Sequence, residues 1–267
     1  MNPKSVSFQK LRIDLPHGHL AVHRSGGIKP AMLILHGLGD SGLCWQAVAR
    51  SFTADYDVVL LDGRGHGESS MPPEGANDDP VADLGALLDR LALEQVTLMG
   101  HSIGALAALS FAAAQNQRVV KLVLEDPPLR DKPFQPTAAM VNGFAQQMNE
   151  LRQLTLAQVV AVGRQQHPGW PEEEFAPWAK AKQQVNPDIL ACYQFPPWPE
   201  VVGSISVPTL LIHGAPGSDS AVPPERAEAI VALNTQFRSV AVPGAGHNVR
   251  RENPAAFIRA VQGFLKG

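Results

Sequence analysis

Short, uninterrupted apolar runs alternate along the chain with longer stretches whose apolar residues recur at helical spacing. Residues 31–35 read Ala-Met-Leu-Ile-Leu and stop at His36-Gly37. Residues 58–61 stop at Asp62-Gly63, 96–99 at Gly100, 119–124 at Glu125-Asp126, 208–212 at His213-Gly214 and 237–242 at Pro243-Gly244. Each run has a strand's length, is rich in Leu and β-branched residues, and is closed by a turn former. The runs are apolar throughout rather than alternating, as strands covered on both faces are. Between them the spacing predicts helices over 43–52, 81–91, 103–114, 224–233 and 254–265. The first follows Asp40 and Ser41 as candidate caps, and the last two begin with Pro, which suits a first helical turn. Strand, helix, strand in series predicts a parallel sheet joined by crossover helices, an α/β fold. Residues 6–14 and 20–24 flank His17-Gly18 and predict an antiparallel hairpin.

The rhythm breaks at 127–206. This stretch holds 11 of the 23 Pro and three of the four Trp, Trp170, Trp178 and Trp198. At roughly 80 residues it is too long for a plain loop inside a compact domain. It predicts helices of its own over 137–153 and 156–164. It therefore reads as a helical cap inserted in a core made of 1–126 and 207–267.

The charge balance narrows the partners. A net charge of -3 with no Lys/Arg run gives no electrostatic basis for binding nucleic acid or an anionic membrane. Residues 1–10 are polar with no signal-peptide core, and no apolar run approaches the roughly 20 residues of a membrane span. The expected location is the cytoplasm, as a monomer or homodimer. Cys44 and Cys192 make no disulfide framework or C-x-x-C motif and are expected reduced.

The sharpest chemical signal is Gly100-His101-Ser102-Ile103-Gly104, set between a predicted strand and a predicted helix. A serine in such a turn is held in a strained conformation with its hydroxyl presented, and its flanking glycines let strand and helix approach. A serine hydroxyl needs a base. Of nine histidines, His247 sits in Pro243-Gly244-Ala245-Gly246-His247-Asn248, a flexible loop at the same strand-end edge, and His213 is its chief rival. The base needs an orienting carboxylate. Asp219 and Asp126 both lie in loops at that edge, and chain order fits either. The amides of Ile103 and of Leu38, in His36-Gly37-Leu38-Gly39, are candidate oxyanion donors.

Taken together these segments resemble the α/β-hydrolase family, in its capped type that includes esterases and lactonases. The resemblance runs from about residue 31 to the C-terminus. It rests on His36-Gly37-Leu38-Gly39, Asp62-Gly63-Arg64-Gly65-His66-Gly67-Glu68-Ser69, the Ser102 elbow, Asp219-Ser220-Ala221-Val222-Pro223 and Gly244-Ala245-Gly246-His247. It implies a mostly parallel eight-stranded sheet with helices on both faces and a cap over the strand carboxyl ends. It implies Ser102 as nucleophile, His247 as base and Asp219 as acid, since the family's usual acid precedes a Val-Pro; Asp126 is the alternate. The reaction expected is two-step hydrolysis of a small, mostly apolar carboxylic ester. No metal or organic cofactor is expected, because the H-E-x-x-H, P-loop and strand-linked G-x-G-x-x-G patterns do not occur. Phe144, Trp170, Trp178 and Trp198 are expected to line the substrate pocket, while at least half of the insertion's aromatics form its own core. Two other readings share the motifs: a lactonase or C–C bond hydrolase with the same triad, and a ligand-binding protein that kept the fold without turnover.

Overall fold

The computed structural model describes residues 6–267; residues 1–5, the start of the polar N-terminal stretch, lie outside the described residues. Eight strands form one sheet. They are β1 (Gln9–Leu15), β2 (Gly18–Arg24), β3 (Ala31–Leu35), β4 (Asp57–Asp62), β5 (Val96–His101), β6 (Val119–Glu125), β7 (Thr209–His213) and β8 (Phe237–Ala241). Their order is β1-β2-β4-β3-β5-β6-β7-β8, with β1, β2 and β4 paired antiparallel and every later pairing parallel. The sheet expected from the sequence is the sheet observed, including its antiparallel hairpin at one edge.

The helices are α1 (Gln46–Ala49), α2 (Pro80–Arg90), α3 (Ile103–Ala114), α4 (Ala138–Arg152), α5 (Leu156–Gln166), α6 (Phe175–Gln184), α7 (Trp198–Gly203), α8 (Pro224–Leu233), α9 (Val249–Glu252) and α10 (Pro254–Lys266). The predicted helix over 43–52 is instead a short α1 between two 3-10 turns, Gly42–Trp45 and Arg50–Phe52. No side chain caps any of the three pieces. Trp45 and Phe52, both in the core, hold the segment down by packing rather than by helix propensity.

The uninterrupted apolar runs have a direct cause in β3. Leu33 and Leu35 enter the core on the α2–α3 side, whereas Met32 and Ile34 enter the core on the α1–α10 side. Successive strand residues point to opposite faces, and here both faces are buried. Strand β6 shows the same split, with Leu122 and Leu124 on one side and Val123 on the other.

Between β6 and β7 the chain leaves the sheet. Helices α4–α6 enclose a third apolar cluster built on Met148, Val159, Trp170, Phe175 and Trp178, which also touches Leu38 and Ile103. Thr155 and Gln158 form a reciprocal capping box at the start of α5. The last helix of the stretch behaves differently: Trp198 and Val202 of α7 belong to the sheet's own core. No helix among the described residues is long and apolar enough to cross a membrane.

Candidate active site

Ser102 occupies the turn between β5 and α3 with φ 53° and ψ -121°. This left-handed conformation is disfavoured for a residue with a Cβ and persists only where the surroundings impose it. They do so here. The Ser102 amide donates to the Glu125 carbonyl (2.9 Å). A Cβ on Gly100 would lie 2.4 Å from the Gly104 carbonyl oxygen, and one on Gly104 would lie 2.4 Å from the His36 carbonyl oxygen. Both flanking positions thus require glycine for close approach, as the motif predicts.

His247 reaches Ser102 from the loop after β8, with 3.2 Å between Nε2 and the serine Oγ. The carboxylate on its other nitrogen is Asp126: Nδ1 lies 2.6 Å from Asp126 Oδ2. This geometry corrects the expectation for Asp219. Asp219 is exposed, and its Oδ1 accepts the backbone N–H of His247 (3.1 Å) rather than the ring N–H. Asp126 is fully buried at the end of β6, also at positive φ (45°). The loop that carries Asp219 folds over it. Ser220 Oγ (2.5 Å) and the amides of Ala221 (2.7 Å) and Val222 (3.2 Å) all donate to the Asp126 carboxylate. The Ser220-Ala221-Val222 segment therefore cradles the Asp126 carboxylate. His213 is a satisfied core histidine, with Nδ1 on the Gly214 carbonyl and Nε2 on Ser239 Oγ.

Burial opposes charge on His247, but the hydrogen bond and charge of Asp126 outweigh it and hold the imidazole above its ordinary value. A second histidine steadies it from behind. His101 Nε2 lies 2.9 Å from the His247 carbonyl oxygen, and the two rings are 4.7 Å apart. Burial and the nearby Arg250 keep His101 neutral, so its Nε2–H is the donor.

The loop after β3 is fixed by two neutral histidines acting reciprocally. His36 Nε2 accepts the Gly63 amide (2.9 Å), and His66 Nε2 accepts the Gly39 amide (3.0 Å). Each ring places its Nδ1 on a carbonyl, that of Gly37 for His36 and that of Arg64 for His66, which sets the tautomer. Burial lowers both, His66 to about 3, and keeps them in the accepting form. The Leu38 and Ile103 amides, the candidate oxyanion donors, find no acceptor among the described residues.

Sequence reasoning missed the charges around this loop. Asp40 pairs with Arg250 (3.0 Å), Arg251 (3.0 Å) and Lys182 (3.7 Å). Arg250 also binds Glu125 (3.1 Å), and Arg251 binds Glu174 (3.0 Å). Three cations and three carboxylates close on themselves, which suits buried charges. Burial would raise the Asp40 carboxyl, but Arg251, Lys182 and Arg250 pull it far below the usual range. Lys182 Nζ, from α6, donates to the Gly39 carbonyl (2.9 Å), tying the insertion to the loop that carries Leu38. No sequence signal marks this network, because its members lie on distant segments without a shared motif. No group of three or more His, Cys, Asp or Glu arranged to hold a metal ion occurs among the described residues.

The aromatics expected to line a pocket are placed as follows. Trp170 and Trp178 are buried in the insertion's own core, where Arg251 and Lys182 lie over their rings, and Phe144 packs against that core. Trp198 donates its indole N–H to Asp131 (2.9 Å) in the sheet core. A cavity of about 70 Å³ beside the elbow is lined by Leu35, His36, Leu84, Ile103, Gly104 and Tyr193, with Arg64, Asp78 and Asp83 among its polar groups.

A family model described as the alpha/beta hydrolase family matches residues 32–260. The esterase YbfF of Escherichia coli is 26% identical over 244 residues, covering 88% of this chain and 92% of that protein. An uncharacterized protein of Mycobacterium tuberculosis is 33% identical over 122 residues, which is 45% of this chain and only 36% of that protein. The crystal structure of E-2-(acetamidomethylene)succinate hydrolase superposes with a TM-score of 0.80 at 22% identity, over 97% of this chain and all of that one, and so shares its fold. The family match takes in six of the eight strands, β3 to β8, and runs into α10, so the chain belongs to the α/β-hydrolase family.

Proposed function

We propose that the chain hydrolyses carboxylic esters by two-step acyl transfer. One observation carries this reading: the Ser102 hydroxyl, the His247 imidazole and the Asp126 carboxylate lie in hydrogen-bonded series, at 3.2 and 2.6 Å, at a strained elbow. The Ser102 hydroxyl donates to His247 Nε2 and attacks the ester carbonyl as the imidazole takes its proton. Asp126 holds the tautomer through the Nδ1–H and stabilises the imidazolium. The Leu38 and Ile103 amides receive the negative charge on the carbonyl oxygen. The imidazolium then gives its proton to the departing alcohol. Water attacks the acyl-enzyme with His247 again as base, and the acid leaves with Ser102 restored. The similarity to an esterase along most of the chain supports this chemistry. Residues 127–206 act as the cap over this site, and the substrate is a small molecule. Lactone opening and C–C hydrolysis use the same groups, and product analysis on matched substrates separates them.

Two results are expected. Because only neutral His247 accepts the serine proton, and Asp126 holds the ring above 6.5, kcat/KM falls as pH drops through an apparent value above 6.5. In Asp126→Asn the imidazolium loses its carboxylate, so the residual activity loses its acid limb at lower pH; a pH–rate profile of both proteins checks the sign. Lys182→Met frees the Gly39 carbonyl and lets the Leu38 loop shift. It lowers kcat by about tenfold to a hundredfold with little change in KM, and Lys182→Arg restores part of the loss.

A further inference from the structure

Two groups that the proposed chemistry leaves unused face the cavity beside the elbow. Asp78, half-buried in the loop after β4, is fixed there because its amide donates to the Cys192 carbonyl (2.9 Å). Its carboxyl accepts no hydrogen bond among the described residues, although it lines the cavity. Tyr193, 8% exposed, lines the same cavity, and its hydroxyl also has no partner among the described residues. Both groups line one space beside Ile103 with hydrogen-bonding capacity that no protein group takes up, so a ligand entering there can take the place of water on them.

The neighbouring charges decide what kind of ligand that is. Arg64 is engaged already: Nε and Nη2 donate to Asp83 (2.8 and 2.7 Å), and Nη1 donates to the His17 carbonyl (2.7 Å). Asp83 on α2 and Asp79 at its start both repel a second anion. His66, also on the wall, is neutral, and Cys192 beside Asp78 has its thiol pushed up. No free cation lines the cavity among the described residues, so a carboxylate finds no counter-charge there, only the Tyr193 hydroxyl, and meets Asp78 and Asp83. Burial and Asp83, opposed by Arg64, hold Asp78 up to about 7, where it readily takes or shares a proton. A second cavity of about 40 Å³ adjoins this one across Asp78, Ile103 and Tyr193, and offers length for a short chain.

The position also identifies which half of the substrate enters. His247 must protonate the leaving alcohol, so the alcohol lies on the His247 side. No residue of the 243–248 loop lines the cavity, whereas Ile103, one of the two candidate oxyanion donors, does, together with His36 and Gly104. The geometry points to an acyl-chain subsite for chains ending in a hydrogen-bond donor, a hydroxyl or an ammonium, accepted by Asp78 beside Tyr193, with carboxylate-ended chains rejected. This rests on the ester-hydrolase reading.

The test compares kcat/KM by pH-stat for methyl hexanoate, its ω-hydroxy and ω-amino counterparts, and monomethyl adipate. The amino and hydroxy esters are expected to exceed monomethyl adipate by at least about tenfold. The ratio of amino to parent ester is expected to rise as pH increases through about 7, as Asp78 ionises. The triad's own titration affects both esters and cancels in that ratio. Asp78→Asn is expected to flatten the ratio, and Tyr193→Phe to reduce it a few-fold. Equal ratios across the four esters, or a preference for monomethyl adipate, overturn the subsite while leaving the ester hydrolase intact. Turnover of none of the four overturns the ester-hydrolase reading instead. Calorimetric binding to Ser102→Ala then still reads the subsite. Binding of the amino ester over monomethyl adipate supports it, and no discrimination overturns it.

Discussion

Ser102→Ala is expected to reduce release of p-nitrophenol from p-nitrophenyl butyrate by about a millionfold in kcat, the scale on which removing a triad nucleophile acts. The residue left behind has no oxygen to form the acyl-enzyme, while the Leu38 and Ile103 amides still favour charge on the carbonyl oxygen. What survives is water attack aided by those donors and by binding, without a burst phase. The fold is expected to tolerate the change, since the serine side chain makes one hydrogen bond, to His247. Alanine still bears the Cβ at φ 53°, so the strain of the elbow is neither relieved nor increased. Circular dichroism and thermal melting close to those of the parent, beside the lost turnover, identify the effect as chemical. Turnover within tenfold of the parent would remove Ser102 from the reaction.

Asp126→Asn carries the next largest effect. An asparagine at 126 fits the same space but cannot accept from both His247 Nδ1–H and the Ser220, Ala221 and Val222 donors with equal strength. It also favours the wrong imidazole tautomer by offering an N–H in place of an oxygen. The expected loss in kcat is about 10⁴-fold, with KM little changed. Asp219→Asn removes only the charge near the His247 amide (3.1 Å) and costs less than about tenfold. Steady-state kinetics of the two variants side by side checks the order. A larger loss in Asp219→Asn would return the acid to that loop.

The contrast between the two aspartates shows where the sequence stops being informative. Ser102 and His247 are legible because their signals are local: glycines at fixed offsets and a strand directly before each loop. Which carboxylate His247 Nδ1 meets depends on a relation between loops. Asp126 follows β6 directly, and β6 lies between β5 and β7, so its side chain arrives under the imidazole without further folding. Asp219 lies six positions past the end of β7, and whether its loop presents a side chain or folds back is decided by contacts with Asp126 itself. Chain order is the same for both, and the Val-Pro after Asp219 favours the aspartate that does not meet the ring.

The sheet was legible for a related reason. Two-sided burial leaves an uninterrupted apolar run, and β3 shows its residues dividing between the two faces. The insertion's aromatics were not. An aromatic that only fills a small helical core and one that also borders a cavity look alike in sequence: Trp170 and Tyr193 belong to one cluster, and only Tyr193 lines the cavity. The charged network was invisible for a further reason. Asp40, Glu125, Glu174, Lys182, Arg250 and Arg251 each look like ordinary polar positions until the fold brings them together away from water. The reciprocal pairing of His36 and His66 likewise joins two motifs that are separate in sequence.

Reaction with a fluorophosphonate, followed by peptide mass spectrometry, tests the arrangement of Ser102, His247 and Asp126 most directly, because it reports nucleophile activation without any choice of substrate. The adduct is predicted on the peptide containing Ser102, forming at least about a hundredfold more slowly in Asp126→Asn than in Asp219→Asn. An adduct on another residue, or slow labelling in Asp219→Asn with normal labelling in Asp126→Asn, would contradict it.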